Sequence, residues 1–103
     1  MAYKIEGTPL ADQDLDGIIS YIAEDLENPI AAAHFLDEVD ACYAHLEKMP
    51  LMYEQCHDPN LKKLGYRKAL IQNYVMIYRV DEGAKTVFIL RFFYARRDYE
   101  KLI

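Results

Sequence analysis

Near Gly65 the spacing of apolar residues changes, and this limits the possible folds more than any other feature of the chain. Upstream, Ala11, Leu15, Ile18, Ile22 and Leu26 recur at intervals of three and four. Phe35, Leu36, Val39, Cys42, Tyr43 and Leu46 do the same, and each set draws an apolar stripe along one face of a helix. Thr8-Pro9 and Asn28-Pro29 mark the two starts, because a polar cap followed by proline at the first helical position satisfies and pre-sets the first turn. Asp12 and Asp14 add negative charge where the helix dipole favours it. The second stripe ends near Lys48-Met49-Pro50, and so short a link between the two predicts an antiparallel helical hairpin. Downstream, 66–72, 74–80 and 86–93 are rich in Tyr, Val, Ile and Phe, which fit a pleated sheet.

The remaining segments complete the order. Tyr3 and Ile5 alternate with Lys4 and Glu6, the period of a short half-buried strand. Residues 51–64 have no sustained period and contain Pro59-Asn60, which predicts a connection with one helical turn. Between the last two strands, 81–85 reads as a hairpin loop, with Gly83 free to take a positive φ. The expectation is an α+β fold in the order β-α-α-β-β-β: an antiparallel four-stranded sheet with an N-terminal helical hairpin packed on one face. At 103 residues and 12.0 kDa, positions 1–103 form a single domain. Hydrophobic residues at 52% exclude a disordered chain. No apolar run approaches the roughly 18 residues of a spanning helix, and the N-terminus lacks a basic stretch followed by an apolar one. A cytoplasmic protein with no membrane partner is expected.

Charge divides sharply along the chain. Residues 1–58 carry 13 acidic and 2 basic side chains, net −11, whereas 59–103 carry 10 basic and 4 acidic, net +6. An anionic partner would therefore meet the C-terminal half, because charge acts locally when the screening length is about 8 Å. By alternation, Tyr74, Met76, Tyr78 and Val80 share one face of their strand, and Val75, Ile77 and Arg79 the other. On the last strand Phe88, Leu90 and Phe92 oppose Val87, Ile89, Arg91 and Phe93. A buried unpaired guanidinium is costly, so the faces of Arg79 and Arg91 are expected to lie away from the helices, joined by Arg67. Clustering with Lys62, Lys63, Lys68, Arg96 and Arg97 favours an anion-binding surface over simple solvation. Val75, Ile77 and Ile89 on that face would then need a partner to cover them.

Cys42 and His45 have a one-turn helical spacing, but the adjacent pair Cys56-His57 is awkward for zinc, so no metal is expected, and two reduced thiols are. Neither a Ser/His/Asp set nor a phosphate loop, dinucleotide fingerprint or HExxH occurs, so no cofactor is expected.

The chain resembles the RelE/ParE superfamily, the toxins of bacterial type II toxin-antitoxin modules, also called plasmid stabilisation proteins. The resemblance is carried by Tyr3-Lys4-Ile5-Glu6, Thr8-Pro9-Leu10-Ala11-Asp12-Gln13-Asp14-Leu15, Ile18-Ile19-Ser20-Tyr21-Ile22, Asn28-Pro29 and Leu46-Glu47-Lys48-Met49-Pro50. It continues through Gly65-Tyr66-Arg67-Lys68, the 74–80 strand and Tyr94-Ala95-Arg96-Arg97-Asp98-Tyr99. It implies a growth-arresting toxin neutralised by a cognate antitoxin, as a homodimer or a toxin-antitoxin hetero-oligomer. The target implied is DNA gyrase in one branch, or ribosome-bound mRNA in a branch of metal-independent endoribonucleases (mRNA interferases). The nuclease branch needs a proton acceptor, a proton donor and cations around the developing phosphorane charge. Arg67 and Arg96 match its basic positions, and Tyr94 is the candidate acid. Ala69, Val75 and Phe93 stand where it has a catalytic Lys, Arg and His. A target-binding toxin is therefore the first reading, an endoribonuclease with a modified site the second, and an inactive toxin-derived binding module the third. Arg67, Arg79, Arg91, Arg96, Arg97 and Tyr99 are the candidate target- and antitoxin-binding residues.

Overall fold

The computed structural model describes residues 2–103. Its elements run β1 (Lys4–Gly7), α1 (Pro9–Ser20), a π-helical segment (Tyr21–Asp25), α2 (Pro29–Lys48), α3 (Pro59–Lys63), β2 (Arg67–Ile71), β3 (Tyr74–Asp81), β4 (Thr86–Tyr94) and a closing 3-10 turn (Tyr99–Lys101). Both proline-led caps form. Thr8 Oγ1 accepts from the Ala11 N–H and Asn28 Oδ1 from the Ala31 N–H, each at 3.1 Å, so each supplies an acceptor for a first-turn amide. At Tyr21 the helix widens: the Leu26 N–H donates to Tyr21 O, five residues back, at 3.0 Å. A π turn inserts a residue and rotates the helix beyond it. Leu26 consequently leaves the expected stripe and is 55% exposed.

The sheet order is β1-β4-β3-β2. β2, β3 and β4 form the antiparallel meander that their short loops require, and α1 and α2 cover one face. β1 corrects the expectation of a purely antiparallel sheet, since it pairs parallel to β4, from Lys4↔Thr86 to Gly7↔Ile89. Short loops dictate antiparallel pairing only between consecutive strands, and the helical excursion after β1 leaves its direction free. The β3–β4 loop also departs from expectation. Lys85, not Gly83, takes the positive φ, at 52°, while Asp81 Oδ1 accepts from the Ala84 N–H at 3.0 Å and shapes the turn.

A bulge reorders the faces of β4. Its register passes from Ile77↔Arg91 to Tyr78↔Ile89, leaving Leu90 as the extra residue. Parity therefore flips along β4: Val87, Ile89 and Phe92 join Met76 and Tyr78 in the core under the helices, with Phe35, Val39, Cys42 and Leu46 of α2. Each such fully buried side chain stabilises by roughly 1.5 to 3 kcal/mol.

The opposite face is not open as expected. Val75, Ile77 and Phe93 are buried there against Cys56 and Leu61, with Tyr66, Leu90 and Tyr99 packed around them. Residues 51–65 fold back over the sheet: Cys56 N–H donates to Tyr66 O at 2.9 Å and Lys68 N–H to Glu54 O at 3.1 Å. This second small core removes the need for a partner to cover Val75 and Ile77, and Ile89 belongs to the first core. Cys42 and Cys56 lie on opposite sides of the sheet as free thiols. Burial pushes both up from their ordinary pKa. Among the described residues no helix is long and apolar enough to cross a membrane.

Candidate functional site

β1 pairs with β4 only as far as Ile89, and beyond that point α1 and its N-cap residue supply partners to β4 peptide groups. Thr8 Oγ1 donates to Leu90 O at 2.9 Å. The Asp14 carboxylate accepts from Phe92 N–H at 3.0 Å and, bidentately, from Arg91 Nε at 2.7 Å and Nη2 at 3.2 Å. With Arg91 26% and Asp14 19% exposed, this ion pair is largely withdrawn from water. Charge-assisted bidentate pairs of this kind are the strong ones. Donation to the Asp14 carboxylate raises the Arg91 pKa further. The guanidinium carbon also sits 4.7 Å from the centre of the Phe93 ring. Arg91 is therefore held by Asp14 at the edge of the cleft, and its charge is matched.

Beside this pair lies an open cleft of about 490 Å3 between α1 and the end of β4. Tyr21, Tyr74 and Tyr94 frame it, Ile18 and Phe92 form part of its floor, and Arg97 and Leu102 stand at its C-terminal rim. Tyr74 meets Tyr94 edge to face at 5.7 Å and Phe35 at 5.3 Å. Burial, with the neighbouring phenols of Tyr21 and Tyr94, raises the Tyr74 pKa. Tyr94 is 42% and Tyr21 46% exposed. Arg96 and Arg97 are exposed and form no ion pair among the described residues.

The other basic residues lie elsewhere. Arg67 is in register with Tyr78, on the helix-side face, which corrects its placement with Arg79. Its Nη1 donates to Tyr53 O at 2.7 Å and Leu51 O at 3.4 Å, tying the 51–55 connection to β2. Arg79 projects from the opposite face over the Phe88 ring at 4.3 Å. The two border a shallow hollow at that end of the strands, with Asp81 and Glu82 also lining it. Tyr99 stacks on Phe93 at 6.0 Å and 15°. Lys68 reaches Glu54 at 3.7 Å. The candidate residues thus separate into Tyr94, Arg91 and Arg97 at one end, Arg67 and Arg79 at the other, Tyr99 on the second face, and Arg96 alone at the surface.

Several cleft residues carry no assigned role in the sequence reading, among them Asp14 as an ion-pair partner and Tyr21. Asp14 carried a signal, because it stands three residues after Ala11 and four before Ile18, inside the apolar stripe. A carboxylate there requires a partner. Tyr21 had none, since the π turn that sets its place is invisible to a 3.6-residue count.

A family model for the ParE toxin of the type II toxin-antitoxin system, parDE, matches residues 5–99. The chain belongs to this family. Solved structures share the fold of this ParE-type chain. The Mycobacterium tuberculosis toxin-antitoxin complex RelBE2 contains a chain 23% identical, with a TM-score of 0.64, covering 91% of this chain and 99% of that one. A chain of the chromosomal ParDE system from P. aeruginosa is 20% identical with a TM-score of 0.67, covering 88% and 94%. A chain of the archaeal RelE-RelB complex from Pyrococcus horikoshii OT3 is 17% identical with a TM-score of 0.56, covering 94% and 99%. Comparison with curated proteins returns no match. Ala69, Val75 and Phe93, which the resemblance would set against a catalytic Lys, Arg and His, are all interior, at 1%, 3% and 5% exposed.

Proposed function

We propose that this ParE-type toxin arrests growth by binding a macromolecular target, DNA gyrase, and is neutralised in the cytoplasm by a cognate antitoxin that covers the same surface. The observation that carries this reading is the burial of Ala69, Val75 and Phe93 in apolar surroundings. A ribonuclease must place a proton acceptor and cations at the reacting phosphate, and here the three matching positions offer methyl groups and a phenyl ring packed away from solvent. A phenol is protonated at neutral pH and is therefore a poor proton acceptor there. What stays available at the surface is suited to recognition: Tyr94, Arg96, Arg97 and Arg79 project outward, and tyrosine and arginine are the residues that dominate protein interfaces. Arg67 and Arg91 hold the scaffold behind them, and Tyr99 closes the second core beside them.

The test uses one preparation in two assays. Purified protein is expected to stop gyrase supercoiling and to leave mRNA on translating ribosomes intact, and Arg96→Ala is expected to weaken the gyrase effect. Ribosome-dependent cleavage that falls about 30-fold or more with Arg96→Ala, the size of one transition-state donor, would replace this reading with the endoribonuclease one. Normal growth on induction, with neither effect, would leave a binding module.

A further inference from the structure

Apolar surface gathers at the end of the molecule where β3 turns into β4. Tyr3, Met49, Pro50, Leu51 and Met52 line a hollow of about 420 Å3 with no charged side chain among them. Met49, Leu51 and Met52 are 60%, 49% and 43% exposed, whereas a large side chain in a finished monomer surface is more often shielded by polar neighbours. The Lys4 N–H donates to Lys85 O in the β3–β4 loop at 2.9 Å, which sets Tyr3 at this end. Leu51 also lines the neighbouring hollow, about 470 Å3, that Arg67, Arg79, Asp81 and Glu82 border. The two hollows therefore form one surface, apolar on one side and charged on the other.

The charged side carries both signs and leaves them unmatched. Arg79 lies over the Phe88 ring and Arg67 holds the carbonyls of Leu51 and Tyr53, yet among the described residues neither forms an ion pair, and nor do Asp81 and Glu82. Asp81 is occupied by the Ala84 N–H, so Arg79 and Glu82 are opposite charges on one hollow that the fold does not bring together. A nucleic acid or an anionic lipid surface would press its phosphates against these carboxylates. A second copy of the chain would not. Across a twofold axis residue i meets j while j meets i, so a patch with an apolar centre and one free charge of each sign is complementary to itself. We infer that two copies of this chain pair through this end, with Met49, Leu51 and Met52 packed against their counterparts and Arg79 facing Glu82 of the partner subunit. Tyr94 and Arg97, at the other end of the strands, stay open in such a dimer, so the pairing leaves them free for a target.

The experiment is sedimentation velocity on the full chain alone over a range of concentrations up to about 1 mM, where even a weak dimer is populated. Thermal melts confirm that each variant is folded. The wild type is expected to pass from monomer to dimer. Leu51→Lys and Arg79→Glu are each expected to weaken the dimer about 10-fold or more. Arg79→Glu combined with Glu82→Arg exchanges the two charges and is expected to return the affinity to within about threefold of wild type, a rescue that a partner of different sequence would not give. A wild type that stays monomeric throughout would overturn the pairing, as would a dimer that neither single substitution weakens. Loss with Arg79→Glu that the charge exchange does not recover would overturn the twofold arrangement. If the wild type is monomeric and the same substitutions instead weaken its complex with the protein of the adjacent reading frame, the surface belongs to that chain and the inference falls.

Discussion

Asp14 does more for this fold than its place in the first turns of a helix announces. It holds Arg91 bidentately and accepts from Phe92 N–H of β4, beyond the end of β1. Removing it leaves a largely buried guanidinium and a buried N–H without partners, and the cost of such orphans exceeds the worth of the bonds themselves. Asp14→Ala is therefore expected to destabilise by about 3 kcal/mol in urea unfolding, and Asp14→Asn by less, because the amide oxygen still accepts one bond. Arg91→Met, which removes the charge with its need for a partner, should cost less than Asp14→Ala; the reverse order would mean that the pair is not what holds β4 to α1. At the residue scale, then, some of the cations that the sequence offers as binding groups are interior struts. Arg67 on the carbonyls of Tyr53 and Leu51 is the second case. Sequence counts charge; whether an arginine is free depends on which carbonyls and carboxylates the tertiary fold brings within reach.

The elements divide by how local their signals are. The starts of α1 and α2 were legible because Thr8-Pro9 and Asn28-Pro29 act within four residues of themselves. The end of α3 is equally local. Tyr66 N–H donates to Leu61 O and Gly65 N–H to Lys62 O, each at 3.0 Å, with Gly65 at φ 79°, a left-handed helix stop that favours glycine. A Cβ there would meet nothing within 4 Å, so Gly65→Ala tests backbone strain alone. It should cost about 1 to 2 kcal/mol in chemical denaturation, with Gly65→Asn recovering part of that; an unchanged stability would mean the stop does not depend on that φ. What the sequence did not disclose is long-range: the direction of β1, set by a partner 82 residues away in the register Lys4↔Thr86, and the bulge at Leu90, which shifts the β3–β4 register. The folding of 51–65 over the second face had a faint signal in Cys56 and Leu61, apolar residues without a period. Alternation alone then placed Val75 and Ile77 in water, where the fold has built a second core.

Across the whole molecule, two apolar layers on either side of one sheet bury hydroxyls and thiols that ordinarily ionise in base, and this sets how the protein responds to alkali. Tyr78 is fully buried, donates to Pro50 O at 3.1 Å, and has its pKa pushed up to about 12 by that burial; Tyr53, beside it at 6.3 Å between ring centres, is likewise raised to about 12. Burial raises Tyr43 as well. A group whose folded pKa lies above its unfolded value binds its proton more tightly in the native state. The stability it contributes is therefore complete below the unfolded value of 10 and is lost as pH rises toward 12. For Tyr78, a shift of this size corresponds to about 2 to 3 kcal/mol, lost across that window. Urea unfolding is accordingly expected to show a flat stability from these phenols up to about pH 9 and a steep fall between 10 and 12. Tyr78→Phe separates the causes: it should lower stability at pH 8 by about 1 kcal/mol through the lost hydrogen bond to Pro50, yet lose less than the wild type between pH 8 and 11. If the variant instead falls in parallel with the wild type, the buried phenol between the 49–53 connection and β3 is not the group whose ionisation opens the fold.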